Sequence, residues 1–277
     1  MTPRPVVSGA TRVVGVIGAP VRHSRSPAIH NAAFAACGLD WVYVAFPVPA
    51  GEGAAAVAAV RTLGLEGLSV TMPHKTDVAG ACDELSPVAA SLRSVNTVVH
   101  RDGRIFGDCT DGPGFVAALA EQGVDPAGRR VLVLGAGGAA RAVVDALGRA
   151  AAIVTVAARR TEAADEVAAL APGATAVSFS GLDEQVVGAD VVVNVTPIGM
   201  RGEEPPFAVE RLRPEQFVYD AVYHPSPTPL LARCAALGIP HSGGLGMLVH
   251  QAALAFTLWT GLEAPLAVMT TAALGEE

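Results

Sequence analysis

Polar side chains that could carry chemistry fall into four short clusters within an otherwise apolar N-terminal region. The clusters span residues 23–27, 69–75, 94–97 and 107–112. The first two follow apolar runs typical of strands, and ligands of open α/β sheets bind beyond the carboxyl ends of the strands. Serine and threonine hydroxyls, one amide, the Lys75 ammonium and the Asp111 carboxylate would together suit a polyhydroxylated organic acid.

Each of these residues also has a purely structural interpretation. Ser26 would cap the helix that Pro27 opens, and Asn96 would fill a turn. Asp111 would cap the helix that follows it, and a single lysine such as Lys75 is most often a solvated surface residue. The residues alone leave both interpretations open.

A glycine-rich turn in the middle of the chain predicts a nucleotide site. Gly135, Gly137 and Ala140 form a G-x-G-x-x-A pattern between an apolar run, residues 130–134, and an amphipathic stretch that ends near Arg149. Glycines permit a tight turn and a close approach of the backbone to a pyrophosphate, and the helix N-terminus then offers free N–H groups. The strand before the turn and the helix after it supply the context that a glycine pattern needs.

The residues after the next strand indicate which dinucleotide binds. That strand, residues 153–157, precedes Arg159 and Arg160, where NAD-binding sites usually carry an acidic residue for the ribose 2′-hydroxyl. A guanidinium suits a 2′-phosphate through its charge and its forked donors. Two arginines at a helix start are otherwise slightly unfavourable, because the positive end of the helix dipole repels them. We therefore predict NADP(H) rather than NAD as the cofactor.

The elements that position the polar clusters alternate between strand and helix. Apolar runs predict strands over residues 13–18, 41–46 and 67–71, and a hairpin over 95–100 and 104–106. Asp102-Gly103 is a strong signal for the hairpin turn. One helix is predicted to begin at Ser26, with Ser26 as its N-cap. A second helix is predicted over residues 52–63. This block is expected to be an α/β unit with a mixed sheet.

The second block has the pattern of a doubly wound parallel sheet. Strands are predicted over residues 130–134, 153–157, 190–194 and 216–220, with helices that end near 149 and span 161–170. Such β-α-β-α alternation is typical of Rossmann-type folds. A long helical segment follows residue 243, and the domain boundary is predicted between residues 108 and 114.

Composition argues against nucleic-acid and membrane partners. The 277 residues carry a formal net charge of -7, which gives no electrostatic footprint for nucleic acid or an anionic membrane. The longest apolar stretch, residues 252–274, is interrupted by Glu263 and Pro265, so no membrane span is predicted. The apolar run near the N-terminus lacks the cleavage pattern of a signal peptide.

The cysteines and histidines predict neither disulfides nor a metal site. The four cysteines, at positions 37, 82, 109 and 234, are far apart and are expected to be buried free thiols in a reducing cytoplasm. The seven histidines show no metal-binding spacing, and we predict no metal. His23 and His74 stand beside polar clusters and are expected to be solvated or to cap helices.

Seven ordered motifs resemble those of the shikimate dehydrogenase family along nearly the whole chain. They are SxSP at 24–27, VTxPxK at 70–75, VNT at 95–97, TDG at 110–112, GAGGA at 135–139, NxTxxGM at 194–200 and GLGMLxxQ at 244–251. The resemblance implies NADPH-dependent reduction of 3-dehydroshikimate to shikimate, on the route to chorismate and the aromatic amino acids. It also implies two α/β domains: a mixed-sheet substrate domain, residues 1–110 completed by 244–277, and a Rossmann-type NADP-binding domain, residues 111–243.

The resemblance further implies roles for individual residues. Lys75 and Asp111 would form the catalytic pair, while Ser24 and Ser26 would hold the substrate carboxylate with help from Tyr223. The other implied substrate contacts are Ser69, Thr71, Asn96 and Gln251. The implied cofactor contacts are Gly135, Ala136, Gly137, Gly138, Ala139, Arg159, Arg160, Thr196, Gly244 and Met247. The expected partners are therefore small molecules, bound by a monomer or a homodimer.

The sequence departs from the family pattern at three positions. Ser69 stands where many members carry Asn, Ala158 replaces an Asn, and Gly243 replaces a common Asp. The first change would weaken one substrate contact. The second removes one hydrogen bond on the adenosine side, while Arg160 adds positive charge there.

Several alternative functions stay open from the sequence. A quinate/shikimate dehydrogenase that uses NAD tends to carry Thr in place of Ser26 and an acidic residue near Arg159. An amino-shikimate dehydrogenase is hardly separable by sequence, whereas the SxSP and GLGM motifs argue against a methylene-tetrahydrofolate dehydrogenase. A non-catalytic NADP-binding sensor would need neither Lys75 nor Asp111.

Overall fold

The computed structural model describes residues 7–275, and their contacts form two compact units. Of the described residues, 7–110 and 249–275 form the first unit, and Asp111–Leu248 forms the second. The sequence-based boundary at residues 243–244 lies earlier than the second crossing at 248–249. The difference arises because Gly244 and Met247 pack within the second unit.

Strands and helices alternate through both units. In chain order the strands are β1 (Arg12–Gly18), β2 (Trp41–Pro47), β3 (Gly67–Val70), β4 (Glu84–Leu85), β5 (Thr97–Arg101), β6 (Arg104–Asp108), β7 (Arg130–Leu134), β8 (Ile153–Ala158), β9 (Thr175–Ser178), β10 (Val191–Asn194), β11 (Phe217–Asp220) and β12 (His241–Gly243). The α-helices are α1 (Ser26–Ala36), α2 (Gly53–Leu63), α3 (Lys75–Ala79), α4 (Pro87–Leu92), α5 (Asp111–Glu121), α6 (Gly138–Arg149), α7 (Thr161–Ala168), α8 (Leu182–Gly188), α9 (Pro229–Ala236), α10 (Leu245–Thr260) and α11 (Leu266–Leu274). Within residues 7–275 no helix is both long enough and apolar enough to cross a membrane.

The first unit contains a mixed six-stranded sheet of order β2-β1-β3-β5-β6-β4. Strands β1, β2 and β3 run parallel, so their carboxyl ends share one edge of the sheet. Strand β5 runs antiparallel to β3, and β6 runs antiparallel to β5. The start of β5 and the end of β6 therefore lie at that same edge, which we term the carboxyl edge of the first sheet.

The hairpin of β5 and β6 forms where the sequence predicts it. Asp102 and Gly103 both have positive φ, 51° and 74°, as a two-residue turn with the twist of the flanking strands requires. The resulting register pairs Thr97 with both Ser69 and Asp108. Polar residues from the second, third and fourth clusters thus lie side by side on neighbouring strands.

The second unit contains a parallel six-stranded sheet of order β12-β11-β10-β7-β8-β9. The direction of the strand order reverses between β7 and β10, and ligands of such sheets bind at this switch point. Strands β7, β8, β10 and β11 lie where apolar runs predict them. Strands β9 and β12 are additional, because both are short edge strands that are only partly buried and have no apolar run.

Two local expectations are wrong. Ser26 is the first residue of α1 rather than its N-cap, and Arg25 at the N-cap position makes no capping bond with its side chain. All four cysteines are free, but only Cys109 and Cys234 are buried. Cys37 and Cys82 are half-buried, because they stand at the end of α1 and in the connection between α3 and β4.

Helix α10 packs closely on the first sheet at a glycine. The indole Nε1–H of Trp259 donates to the carbonyl of Val98 at 2.8 Å. A Cβ on Gly67 would lie 2.1 Å from that carbonyl oxygen and 2.5 Å from the indole nitrogen. Only glycine at position 67 therefore lets the tryptophan approach the sheet.

We predict that Gly67→Ala destabilises the protein by at least about 2 kcal/mol, because the new methyl group collides with main chain that cannot move away. Gly188→Ala is the matched control, since a Cβ at Gly188 meets nothing within 4 Å. It should leave the free energy of unfolding unchanged or raise it by up to about 1 kcal/mol. Urea unfolding of both variants measures the difference, and equal midpoints would contradict the packing argument.

Candidate active site

The side-chain amide of Asn96 is the centre of the carboxyl edge of the first sheet. Its Oδ1 accepts the backbone N–H of Thr110 at 2.8 Å and the hydroxyl of Thr97 at 2.9 Å. Its Nδ2 donates to Thr110 Oγ1 at 3.0 Å and to Gln251 Oε1 at 3.4 Å. The backbone of Asn96 bonds the last residues of β3 and β6. One buried residue thus connects three strands and helix α10.

Gln251 brings helix α10 to this edge. Its backbone carbonyl accepts the hydroxyl of Thr110 at 3.1 Å, in addition to the contact between its side chain and Asn96. Asn96 is only 3% exposed, and its Oδ1 already accepts two donors. Both groups of the amide are thus engaged within the edge, and the half-buried Gln251 is the more accessible of its partners.

Lys75 begins α3 just beyond the end of β3 and is half-buried. Its carbonyl accepts the backbone N–H of Val95 at 3.0 Å, which connects α3 to the segment that contains Asn96. The neighbouring His74 is buried and makes no capping bond, so the expectation of a solvated or capping histidine is wrong. A ring nitrogen of His74 bonds the carbonyl of Val48 at 2.9 Å and holds the start of α3 against the chain after β2.

His23, in contrast, is exposed, as expected. Ser24 lies in the connection from β1 to α1, and Ser26 is the first residue of α1. The backbone N–H of Ser26 donates to Ser24 Oγ at 3.2 Å. This bond uses a lone pair of the Ser24 hydroxyl and leaves its proton to another acceptor.

Thr71 and Ser69 carry hydroxyls at the end of β3. The backbone N–H of Thr71 donates to the carbonyl of Ile17 at 3.0 Å, so the ends of β3 and β1 are held together. Ser69 is buried within β3, and Thr71 is half-buried just beyond it. The predicted substrate residues up to Asn96 therefore lie at the carboxyl edge of one sheet or in the segments that follow its strands, and Gln251 reaches the same edge from α10.

The glycine-rich turn of the second unit lies at the switch point of its sheet. Gly135 has a φ of +123°, and a Cβ there would lie 3.2 Å from the methyl group of Thr196. Its N–H donates to the carbonyl of Ala157 at 2.8 Å. A Cβ on the exposed Gly137 would meet nothing within 4 Å, so the main chain before α6 is open to a ligand. The other residues of the turn are the half-buried Ala136 and Ala139 and the exposed Gly138.

Arg159 and Arg160 follow β8, the neighbour of β7 in the sheet. Both side chains are exposed. At the carboxyl edge of the second sheet, β7 is followed by an open glycine turn and the N-terminus of α6. The adjacent strand β8 is followed by two guanidinium groups. This donor set fits the pyrophosphate and the 2′-phosphate of NADP(H).

A buried polar network joins the ends of β10 and β11. The carboxylate of Asp220 accepts from Thr228 Oγ1 at 2.7 Å, from Asn194 Nδ2 at 2.9 Å and from the N–H of Val222 at 3.1 Å. Asn194 Oδ1 accepts the hydroxyl of Thr196 at 2.6 Å. Burial raises the pKa of Asp220, and the three hydrogen bonds oppose that rise. The network fixes the loop that carries Thr196.

Tyr223, Gly244 and Met247 also lie beyond strand ends of the second sheet. Tyr223 is half-buried after β11, while Gly244 is buried between β12 and α10. A Cβ on Gly244 would lie 2.0 Å from the carbonyl oxygen of Ala221, so this position requires glycine. The N–H of the buried Met247 donates to the hydroxyl of Tyr219 at 3.1 Å.

The two members of the predicted catalytic pair belong to different units. Lys75 lies in the first, whereas the buried Asp111 is the first residue of the second and begins α5. In the chain, Asp111 directly follows Thr110, which contacts Asn96. Among residues 7–275 no three His, Cys, Asp or Glu side chains are grouped so that they could hold a metal ion.

Sequence reasoning gave no role to Thr97, Thr110 or Asp220. The first two stand inside recognised motifs, yet their hydroxyls serve the amide of Asn96. Asp220 and Asn194 each end an apolar run with a polar residue, which is the signal that also marks the first-unit clusters. Polar residues at the carboxyl ends of adjacent strands could have predicted the network.

Comparison with known proteins identifies the family. Three family models match in chain order: the shikimate dehydrogenase substrate binding domain at residues 16–98, shikimate/quinate 5-dehydrogenase at 118–199, and the shikimate 5′-dehydrogenase C-terminal domain at 244–274. A shikimate dehydrogenase (NADP(+)) from Moorella thermoacetica is 47% identical in an alignment of 273 positions, which covers 95% of this chain and 92% of the relative. The chain belongs to the shikimate dehydrogenase family.

Solved structures of the family share the fold. Shikimate 5-dehydrogenase from Thermus thermophilus, in complex with NADP(H) and shikimate, is 37% identical with a TM-score of 0.88, covering 95% of this chain and 99% of that one. A quinate dehydrogenase from Corynebacterium glutamicum, in complex with NAD, is 33% identical with a TM-score of 0.89, covering 96% and 99%. The predicted α/β fold with a Rossmann-type domain is therefore confirmed. The shikimate dehydrogenase fold serves more than one substrate and cofactor.

We predict that Thr228→Val lowers the free energy of unfolding by about 2 kcal/mol, because it leaves the buried Asp220 without one donor and α9 without its N-cap. Thr257→Val is the control. It removes an exposed hydroxyl that bonds within α10, and it should cost less than about 0.5 kcal/mol. Urea unfolding provides the comparison. Similar losses for the two variants would show that the network adds nothing to stability.

Proposed function

We propose that this chain catalyses the reversible, NADPH-dependent reduction of 3-dehydroshikimate to shikimate. Family membership and the fold support this assignment. The observation that carries it is the position of Lys75, which follows β3 and whose carbonyl is bonded to Val95, the residue before Asn96 of the carboxyl edge.

The residue type at position 75 supports a role in proton donation. One lysine and eighteen arginines make up the 19 basic residues, so Lys75 is the only lysine in the chain. All of the other eighteen positions with a lysine or arginine side chain are arginine. A lysine ammonium is a compact charge that can release its proton, whereas a guanidinium stays protonated. The residue at position 75 is therefore of the type that a proton-donating role needs.

The substrate chemistry follows from these side chains. NADPH, when bound, supplies hydride to the ring ketone carbon, and negative charge then develops on the ketone oxygen. We assign Lys75 as the donor to that oxygen, which stabilises the transition state. Asp111, the other member of the proposed pair, accepts a hydrogen bond from the neighbouring substrate hydroxyl.

Neutral donors and acceptors hold the rest of the substrate. Ser24 and Ser26 are proposed to bind the carboxylate through their hydroxyls, and Tyr223 is a further carboxylate contact. Thr71 and Gln251 bind ring hydroxyls. Two more proposed contacts, Ser69 and Asn96, are buried within the edge.

The cofactor residues are proposed from the second sheet. The turn at Gly135 and Gly137 receives the pyrophosphate, and Arg159 and Arg160 bind the 2′-phosphate. Thr196 lies beside Gly135, and we assign it to the nicotinamide side of the turn. Gly244 and Met247 are assigned to that side as well. We propose that the enzyme works as a monomer or homodimer. A cytoplasmic location is proposed because four free thiols fit a reducing compartment.

An activity assay tests the proposed function directly. Purified protein is supplied with shikimate or quinate, each with NADP+ or NAD+, and reduced nicotinamide is followed by its absorbance. We expect the highest kcat/KM with shikimate and NADP+. A preference for quinate with NAD+ would instead assign the activity named for the Corynebacterium glutamicum relative. No turnover with any pair would overturn the proposal.

Lys75→Ala should lower kcat by about 10²–10³-fold, while KM for shikimate changes by less than about threefold. Lys75→Arg should lower kcat nearly as much, because the guanidinium does not release its proton. The control is Arg93→Lys at an exposed site of the same unit, which should match the parent protein. Steady-state kinetics measure all three, and near-normal kcat in Lys75→Ala would contradict the assigned role.

Arg159→Ala should raise KM for NADP+ by about tenfold or more, since a charge-assisted bond to the 2′-phosphate is lost. KM for NAD+ should stay unchanged, because NAD+ has no phosphate there. Arg211→Ala, at another exposed arginine of the second unit, serves as the control. Equal increases for the two cofactors would place Arg159 outside the 2′-phosphate site.

A further inference from the structure

Tyr43 of β2 shares a face of the first sheet with Ser69 of the proposed substrate site. In the sheet register Tyr43 pairs with Val14 of β1, and Ser69 pairs with Val16 of the same strand. Residues two apart on a strand point to the same face, so Tyr43 and Ser69 lie on one face of the sheet. Helix α1, which begins at Ser26, contacts β1 and β2.

The ring of Tyr43 is held rigidly in this position. The side-chain amide of Asn31 accepts the N–H of Tyr43 at 2.8 Å and donates to its carbonyl at 2.9 Å. The imidazole of His30 stacks on the phenol ring, with centroids 4.5 Å apart and planes 9° apart. The indole of Trp259 lies 6.0 Å away, centroid to centroid. Neighbours on three sides therefore determine where the hydroxyl points.

The hydroxyl of Tyr43 is a buried polar atom with no hydrogen-bond partner of full geometry among the described residues. Burial raises the pKa of Tyr43, and interactions with the hydroxyls of Ser69 and Ser26 oppose part of that rise. The phenol is therefore protonated at any working pH. Because an unpaired buried hydroxyl is costly, such a group calls for a functional explanation.

The arginine between the two serines is bonded to another part of the first unit. Arg25, between Ser24 and Ser26, donates to the carbonyls of Ala273 and Leu274 at the end of α11. His30 is fully buried, and burial lowers its pKa to about 3, so its ring is neutral. A carboxylate bound at these serines would depend on how their hydroxyl protons are oriented.

We propose that Tyr43 is a positioning residue for the substrate carboxylate, acting through the hydroxyls of Ser26 and Ser69. Once a carboxylate is bound, the phenol gains the partners that it lacks in the structure: it accepts the Ser69 proton and donates its own proton to Ser26 Oγ, so the proton of Ser26 points toward the carboxylate. Chains of hydroxyls polarise one another, which strengthens the last donor. This inference rests on the proposed function, because shikimate supplies the carboxylate.

The test compares Tyr43→Phe with the parent protein on shikimate and on its methyl ester, with NADP+ at saturation. Tyr43→Phe keeps the ring and its stacking but lacks the oxygen. We expect KM for shikimate to rise about tenfold with kcat within about twofold, and kcat/KM for the ester to stay unchanged. A merely structural role would change both substrates alike, and that result would overturn the proposal.

Further variants complete the test. Thr257→Val, which removes an exposed hydroxyl from α10, should leave both substrates unaffected. Tyr43→Phe should add little to Ser26→Ala, because the phenol acts through that serine. Should Tyr43→Phe fail to fold, Ser69→Ala removes the next hydroxyl of the chain. Because Ser69 is also a proposed direct contact, KM should rise for both substrates but several-fold more for shikimate, and an equal rise for acid and ester would overturn the proposal. Additive effects in the double variant would overturn the proposal.

The parent protein separates this inference from the proposed function. If the parent turns over shikimate and Tyr43→Phe affects acid and ester equally, only the role of Tyr43 is wrong. If the parent turns over neither shikimate nor its ester, the proposed function is wrong, and the proposed role of Tyr43 is then wrong as well.

Discussion

The amide of Asn96 is the interaction on which the carboxyl edge of the first sheet depends. Its two ends bond the start of β5, the chain after β6 and helix α10, while its backbone bonds β3. These are the segments that carry the polar clusters of the sequence. An amide serves here because it donates and accepts at once, so a single buried side chain satisfies partners of both kinds. The position of Lys75 follows, since its own carbonyl is bonded to Val95, the residue before Asn96.

The second sheet repeats this arrangement with different strands. Asn194 ends β10, accepts the hydroxyl of Thr196 and donates to Asp220 at the end of β11. In both units an asparagine at a strand end holds the loops where a ligand is proposed to bind. The third asparagine, Asn31, performs a similar task for the backbone of Tyr43. The chain has only these three asparagines, and each connects separate elements.

Much of this architecture could be predicted from local sequence. The Asp102-Gly103 turn and the apolar strands of both sheets lie where expected, and the polar clusters mark the carboxyl edge of the first sheet. Edge strands β9 and β12 could not be predicted, because their partial burial requires no apolar run. The burial of His74 and the hydroxyl of Tyr43 depend on register and on contacts between distant segments. Such contacts become visible only when the strands are paired.

Selective labelling of the three asparagine side-chain amides tests the central claim most directly. With ¹⁵N-asparagine in the full chain, shikimate is added without cofactor and the three amide pairs are followed by NMR. The Asn96 pair should shift saturably, and the Asn194 pair, in the other unit, should stay in place. A shift of Asn194 without any change at Asn96, in protein that turns over shikimate, would contradict the claim that the substrate binds at the Asn96 edge.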